Sequence, residues 1–214
     1  MEYKWLNKKN NDRLIVFFNG WGMDEGVVKH LDCTCFDVVM FYDYNTLDTD
    51  FVLDKEYSEV NIVAWSMGVM AVSAAGVGVN GVGVNGVNFA DIGKKVVING
   101  TLKPIDEKYG ISPKIYDLTV SGFNESGRNK FIKNMFNGNI PEITFSRTLE
   151  NQKSELIALK NYKANLEFKP TKIYISDNDR IIPTKSQCAF WETEPNLKGG
   201  HCPFFNFKKW EELL

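Results

Sequence analysis

The sequence predicts an α/β fold: an open, mostly parallel sheet with a block of helices inserted between its late strands. Two observations predict it. First, five short segments rich in β-branched and aromatic residues are near-continuous apolar runs rather than alternations, which suits parallel strands covered on both faces. Second, roughly 20–35 residues separate most of them, room for right-handed crossovers. That spacing breaks once, with a gap of about 70 residues before the last segment.

The first strand is Leu14–Phe18, "LIVFF", and the glycine-containing turn "NGWG" follows it. The stretch "VVKHLD" then reads as an amphipathic helix carrying His30 on its surface. The second strand is Phe36–Phe41 and the third Val60–Ala64. Ser66 comes directly after the third strand and before a run of small residues, "MGVMAVSAAG". From Gly76 to Asn88 a Gly-Val-Asn repeat runs twice and breaks off. Glycine in alternate places costs backbone entropy and leaves nothing to pack, so this stretch is expected as a loop replacing part of a crossover.

The fourth strand is Lys95–Ile98 and the fifth Lys172–Ile175. The long gap between them predicts at least two helices. "FNESGRNKFIKNMF" has a candidate N-cap in Asn124, with Phe131, Ile132, Met135 and Phe136 at helical spacing. "SRTLENQKSELIALKNY" supplies the second, Pro141 separates the two, and Pro170 closes the insertion. The expected organisation is therefore a core of residues 1–102 and 167–214 with a helical lid at 103–166.

Composition narrows the function. A net charge of −2 argues against general affinity for nucleic acid. No apolar run approaches the ~20 residues that cross a bilayer, and the first residues show no signal-peptide core. Cys33, Cys35, Cys188 and Cys202 lack the spacing of a zinc site and read as reduced thiols of a cytoplasmic protein.

Strand, tight turn, serine, helix is the context of the G-x-S-x-G nucleophile elbow, in which small neighbours are needed because backbones approach closely. Gly68 meets that demand, and Ala64 stands in the place of the first glycine. The turn after the first strand is where hydrolases of this kind place an oxyanion donor, so the N–H groups of Trp21 and Met67 are the candidate pair. Asp177 and Asp179 both follow the late strand, and the "RIIP" after Asp179 favours Asp179 as the acid. His201 lies in a glycine-rich loop before the apolar anchors "PFF". The order Ser66, Asp179, His201 is that of the α/β-hydrolases. The expected chemistry is ester hydrolysis through an acyl-enzyme on Ser66, with His201 as base, and it calls for no metal or organic cofactor.

"FNGWG", "AWSMG", "NGT" followed by "PIDEKYGI", and "GGHCPFF" together resemble the BioG-type pimeloyl-[acyl-carrier protein] methyl ester esterases. The resemblance implies the same nucleophile and base, a helical lid, an acyl-carrier protein as partner, and hydrolysis of its methyl-esterified pimeloyl chain in biotin synthesis. Residues 103–163 carry ten Lys/Arg against seven Asp/Glu, so a basic lid is expected to steer an acidic carrier. Arg128, Lys130, Lys133, Arg147 and Lys153 are the candidate docking residues, and Phe131 and Phe136 the candidate acyl-chain contacts. Two rival readings use the same residues: a broad carboxylesterase or thioesterase, and a non-catalytic receptor built on the hydrolase fold.

Overall fold

The computed structural model describes residues 1–77 and 92–214, so most of the Gly-Val-Asn repeat lies outside the described residues. Among the described residues six strands form one sheet: β1 (Glu2–Asn7), β2 (Arg13–Phe18), β3 (Asp37–Tyr42), β4 (Glu59–Trp65), β5 (Ile92–Ile98) and β6 (Lys172–Tyr174). Their spatial order is β1-β3-β2-β4-β5-β6. Among the described residues only β1 runs antiparallel to its neighbour. It was not expected from the sequence because "EYKWLN" is polar and exposed over its first half, as an edge strand can be.

The central strands bury both faces. Leu14, Val16 and Phe18 of β2 join Val60, Ile62 and Ala64 of β4 in one core cluster, while Ile15, Phe17, Val63 and Trp65 point into the other. This two-sided burial is why the strands read as unbroken apolar runs.

The two faces are covered differently. The first cluster is roofed by helices: α1 (Gly68–Ala74), Tyr116 of α2 (Pro113–Ser121), and Leu156 and Leu159 of α4 (Leu149–Leu159), with α5 (Thr184–Trp191) alongside. The second is sealed mostly by short 3-10 turns at Glu25–Val27, Phe204–Asn206 and Trp210–Leu213, with Met135 of α3 (Glu125–Met135). The helix expected around His30 does not form. The chain makes the Glu25–Val27 turn instead, capped by Asp24. Its Gly26 lies so close to the Thr144 carbonyl that a Cβ would sit 2.6 Å away. His30 is exposed and stacks on Phe205.

Between β5 and β6, helices α3 and α4 begin at the caps Asn124 and Thr148, whose side chains accept the Gly127 and Asn151 N–H groups. A third helix, α2, was not singled out in the sequence. It was readable there: Ser112 caps it and Pro113 takes its first turn.

Candidate active site

Three chain segments meet at the carboxyl ends of β2, β4 and β6. Phe18 pairs with Ala64, so the turn after β2 and the turn after β4 leave the sheet side by side. Ser66 adopts φ +58°, a left-handed conformation that costs a non-glycine residue on the order of 1–3 kcal/mol and needs surrounding structure to hold it. Its N–H donates to the Ile98 carbonyl at 3.0 Å, and its carbonyl accepts from Val69 N–H at 3.1 Å. Glycine is required on both sides. A Cβ at Gly68 would lie 2.4 Å from the carbonyl oxygens of Phe18 and Asn19, and one at Gly100 would lie 2.5 Å from that of Ser66. Ala64 packs within β4 as a fully buried core residue, so the position two before the serine accommodates a methyl group.

His201 Nε2 lies 2.7 Å from Ser66 Oγ, and His201 Nδ1 lies 2.7 Å from Asp179 Oδ2. All three residues are buried. The histidine backbone is pinned from the sheet: its carbonyl accepts from Trp65 Nε1 at 2.8 Å and Asn99 Nδ2 at 2.9 Å. Asp179 is held as firmly. Its Oδ1 accepts the N–H groups of Ile181 and Ile182, and its Oδ2 accepts from Gln187 Nε2 at 2.8 Å. Asp177 faces outward, paired with Lys198 at 2.8 Å and accepting the Gly199 N–H. The Lys198 ammonium and that N–H keep its carboxyl below the usual range.

Ser66, Trp21 and Met67 line one cleft of about 470 Å³, with Ile115, Tyr116 and Leu118 of α2 and Phe123 and Phe131 on its other walls. The Trp21 ring meets Phe131 edge-on at 4.8 Å. Among the described residues, neither the Trp21 nor the Met67 backbone N–H donates to a protein acceptor.

Two expected site residues lie elsewhere. Phe136 is outside the cleft lining and packs against Phe205. It is the C-cap of α3, where the backbone leaves helical geometry, and it sits about 100° round the axis from Met135. Arg147 is not a free surface cation: it is buried, with ion pairs to Glu155 at 2.8 Å and Asp43 at 3.2 Å. Lys130 lines the cleft and Lys133 is exposed on the same helix. Arg128 is half-buried near the Phe145 ring, and Lys153 is half-buried on α4.

Four residues went unnoticed in the sequence: Asn99, Gln187, Arg180 and Glu155. Arg180 is exposed and lines the cleft. Its position directly after Asp179 was the available signal. Asn99 and Glu155 act through partners far away in the chain, which no local pattern reveals, while Gln187 reaches back from α5 to Asp179, eight residues earlier. Among the described residues no three His, Cys, Asp or Glu side chains form a metal site, and no helix is long and apolar enough to cross a membrane.

Comparison with known proteins gives a consistent fold. The family model "Pimeloyl-ACP methyl esterase BioG" matches residues 1–213. The crystal structure of BioG from Haemophilus influenzae superposes with a TM-score of 0.85 at 26% identity, covering 100% of this chain and 99% of that one. A putative aryl esterase from Burkholderia cenocepacia has a TM-score of 0.61 at 12% identity over 95% of this chain and 88% of that one. The fold is thus that of the α/β-hydrolases. A Bacteroides fragilis protein named malonyl-[acyl-carrier protein] O-methyltransferase is 34% identical over 186 residues, 83% of this chain. The match spans only 36% of that longer protein.

Proposed function

The chain belongs to the pimeloyl-ACP methyl esterase BioG family, and on that premise we propose that it hydrolyses the methyl ester of a pimeloyl chain carried on acyl-carrier protein, in biotin synthesis. The observation that carries this reading is the unbroken relay from Ser66 through His201 to Asp179, 2.7 Å at each step, at the wall of an apolar cleft.

In this reading His201 Nε2 takes the Ser66 proton as Oγ attacks the ester carbonyl carbon. Asp179 holds the Nδ1–H tautomer and stabilises the imidazolium. The tetrahedral oxyanion accepts from the Trp21 and Met67 N–H groups, each such donor contributing about 3–4 kcal/mol to the transition state. The imidazolium returns its proton to the leaving methoxide, methanol departs, and water activated by His201 releases the carboxylate and regenerates Ser66.

Helices α2 to α4, within 103–166, serve as the lid, and Phe131 with the α2 side chains receives the acyl chain. Ile115 and Leu118 line the cleft while 54% and 58% exposed, an apolar rim that favours an extended apolar ligand. The carrier docks against Lys130 and Arg180, which line the cleft, with Lys133, Arg128 and Lys153 of the inserted segment as the further basic contacts. All four cysteines are free thiols, which supports action in the reducing cytoplasm.

The test is methanol release from pimeloyl-carrier methyl ester against free methyl pimelate. Wild type is expected to prefer the carrier-linked ester strongly. Ser66→Ala should abolish turnover and labelling by a fluorophosphonate, and Asp179→Asn should lose about 10⁴-fold while Asp177→Asn stays near wild type. Equal rates on many short esters would favour a broad carboxylesterase. An intact Ser66 that takes no label would end the enzyme reading.

A further inference from the structure

The turn that carries Trp21 is clamped to α4 by buried polar groups. Gly22 sits at φ +71°. Its N–H donates to Glu155 Oε2 at 2.9 Å, and its carbonyl accepts from Gln152 Nε2 at 2.7 Å. The Trp21 indole N–H donates to the Gln152 carbonyl at 2.8 Å. From the other side, Asn19 Oδ1 accepts the Gly20 N–H at 2.8 Å. The short stretch bearing the unpaired Trp21 N–H is therefore fixed at both ends.

Glu155 does more than hold Gly22. Its second oxygen accepts the Tyr44 N–H at 2.9 Å, so one carboxylate bridges the loops after β2 and after β3. It is completely buried. Burial pushes its carboxyl up, and Arg147 works against that. A buried charge is a costly way to pack a helix against a sheet, and an apolar side chain would pack equally well. An apolar side chain would not fix the peptide orientation of two loops.

We propose that Glu155 and Gln152 are positioning residues that set the direction of the Trp21 N–H towards the oxyanion, through Gly22. Trp21 also forms a wall of the cleft beside Ser66, so the same clamp sets the donor and that wall together. This rests on the serine-hydrolase reading above, and deepens it: within the lid segment, α4 is the part fixed to the catalytic framework.

The experiment compares wild type, Glu155→Gln and Gln152→Met. Gln152→Met nearly keeps the side-chain volume and removes the donor to Gly22 together with an amide oxygen that has no partner among the described residues, so it reads the clamp with the least disturbance. Each is assayed on p-nitrophenyl acetate and titrated with an alkylboronic acid, whose tetrahedral adduct on Ser66 places an oxygen where the oxyanion forms. The expected result is a fall in kcat of about tenfold or more, KM within about twofold, and a parallel loss of boronate affinity. Fluorophosphonate labelling of Ser66 should remain stoichiometric. Lowered thermal stability with kcat and boronate affinity unchanged would overturn the proposal and leave the hydrolase reading standing. A wild type that neither turns over the ester nor binds the boronate would sink both.

Discussion

Helices α2 and α4 come from the same inserted segment, yet they meet the sheet in opposite ways. Helix α4 buries Gln152, Glu155, Leu156 and Leu159, and joins the loops after β2 and β3 through hydrogen bonds and the Arg147 ion pairs. Helix α2 buries only Tyr116, whose hydroxyl donates to the Leu156 carbonyl of α4, and turns Ile115 and Leu118 towards the cleft with more than half their surface in solvent. The difference teaches that contiguity in sequence is not unity of role. One helix is bound to the framework by directional polar contacts, whereas the other presents an apolar surface that awaits a covering.

The sharpest way to break this contrast is at Arg147. Arg147→Leu strands the Glu155 carboxylate in the core. A loss of about 3–5 kcal/mol is expected, as for other broken buried pairs, read as a lowered urea midpoint with unchanged slope. Stability within about 1 kcal/mol of wild type would mean that α4 is held by its apolar contacts alone, and the contrast would fail.

A smaller effect is expected on the other side. Ile115→Ser and Leu118→Ser remove apolar surface that is already mostly exposed, so unfolding stability should move by less than about 0.5 kcal/mol. KM for the long-chain carrier-linked ester should rise severalfold, while kcat/KM for p-nitrophenyl acetate should hold. A large fall in stability would show α2 to be as much a part of the framework as α4.

The subtlest test uses pH. Asp43 loses hydration at its half-buried position, which opposes ionisation, but the Asn151 amide and the Arg147 guanidinium outweigh this and hold its carboxyl below the usual range. A depressed folded pKa stabilises the native state above the unfolded value of about 3.9, and that stabilisation is lost as pH falls through the folded pKa. Between pH 5 and 3, wild type should therefore lose more stability than Asp43→Asn in parallel thermal melts. Identical slopes would remove Asp43 from the α4 anchorage.

Much of the fold was legible because local chemistry decides it. Apolar runs mark strands that bury both faces, and the serine-bearing turn is bounded by glycines whose absent Cβ leaves space for carbonyl oxygens. Edge strand β1 was not legible, since its pairing with β3 stabilises a sequence without an apolar run. Nor was the 3-10 covering of the second face, where Met23, Val27 and Leu31 pack without an α-helix.

By itself the sequence determined the strand runs, the two glycine turns, and the chain order of the serine, the acids and the histidine. Only the tertiary structure decided which aspartate stands beside His201. Asp177 is drawn outward by Lys198 and Gly199, while Asp179 meets the His201 ring brought in from the C-terminal loop, with its near neighbours Ile181, Ile182 and Gln187 steadying it. The same holds for Arg147, which reads as one more surface cation until Glu155 and Asp43 enclose it. The physical reason is common to both. Local pattern sets the backbone, but the direction and charge environment of a polar side chain depend on partners that folding brings from elsewhere in the chain.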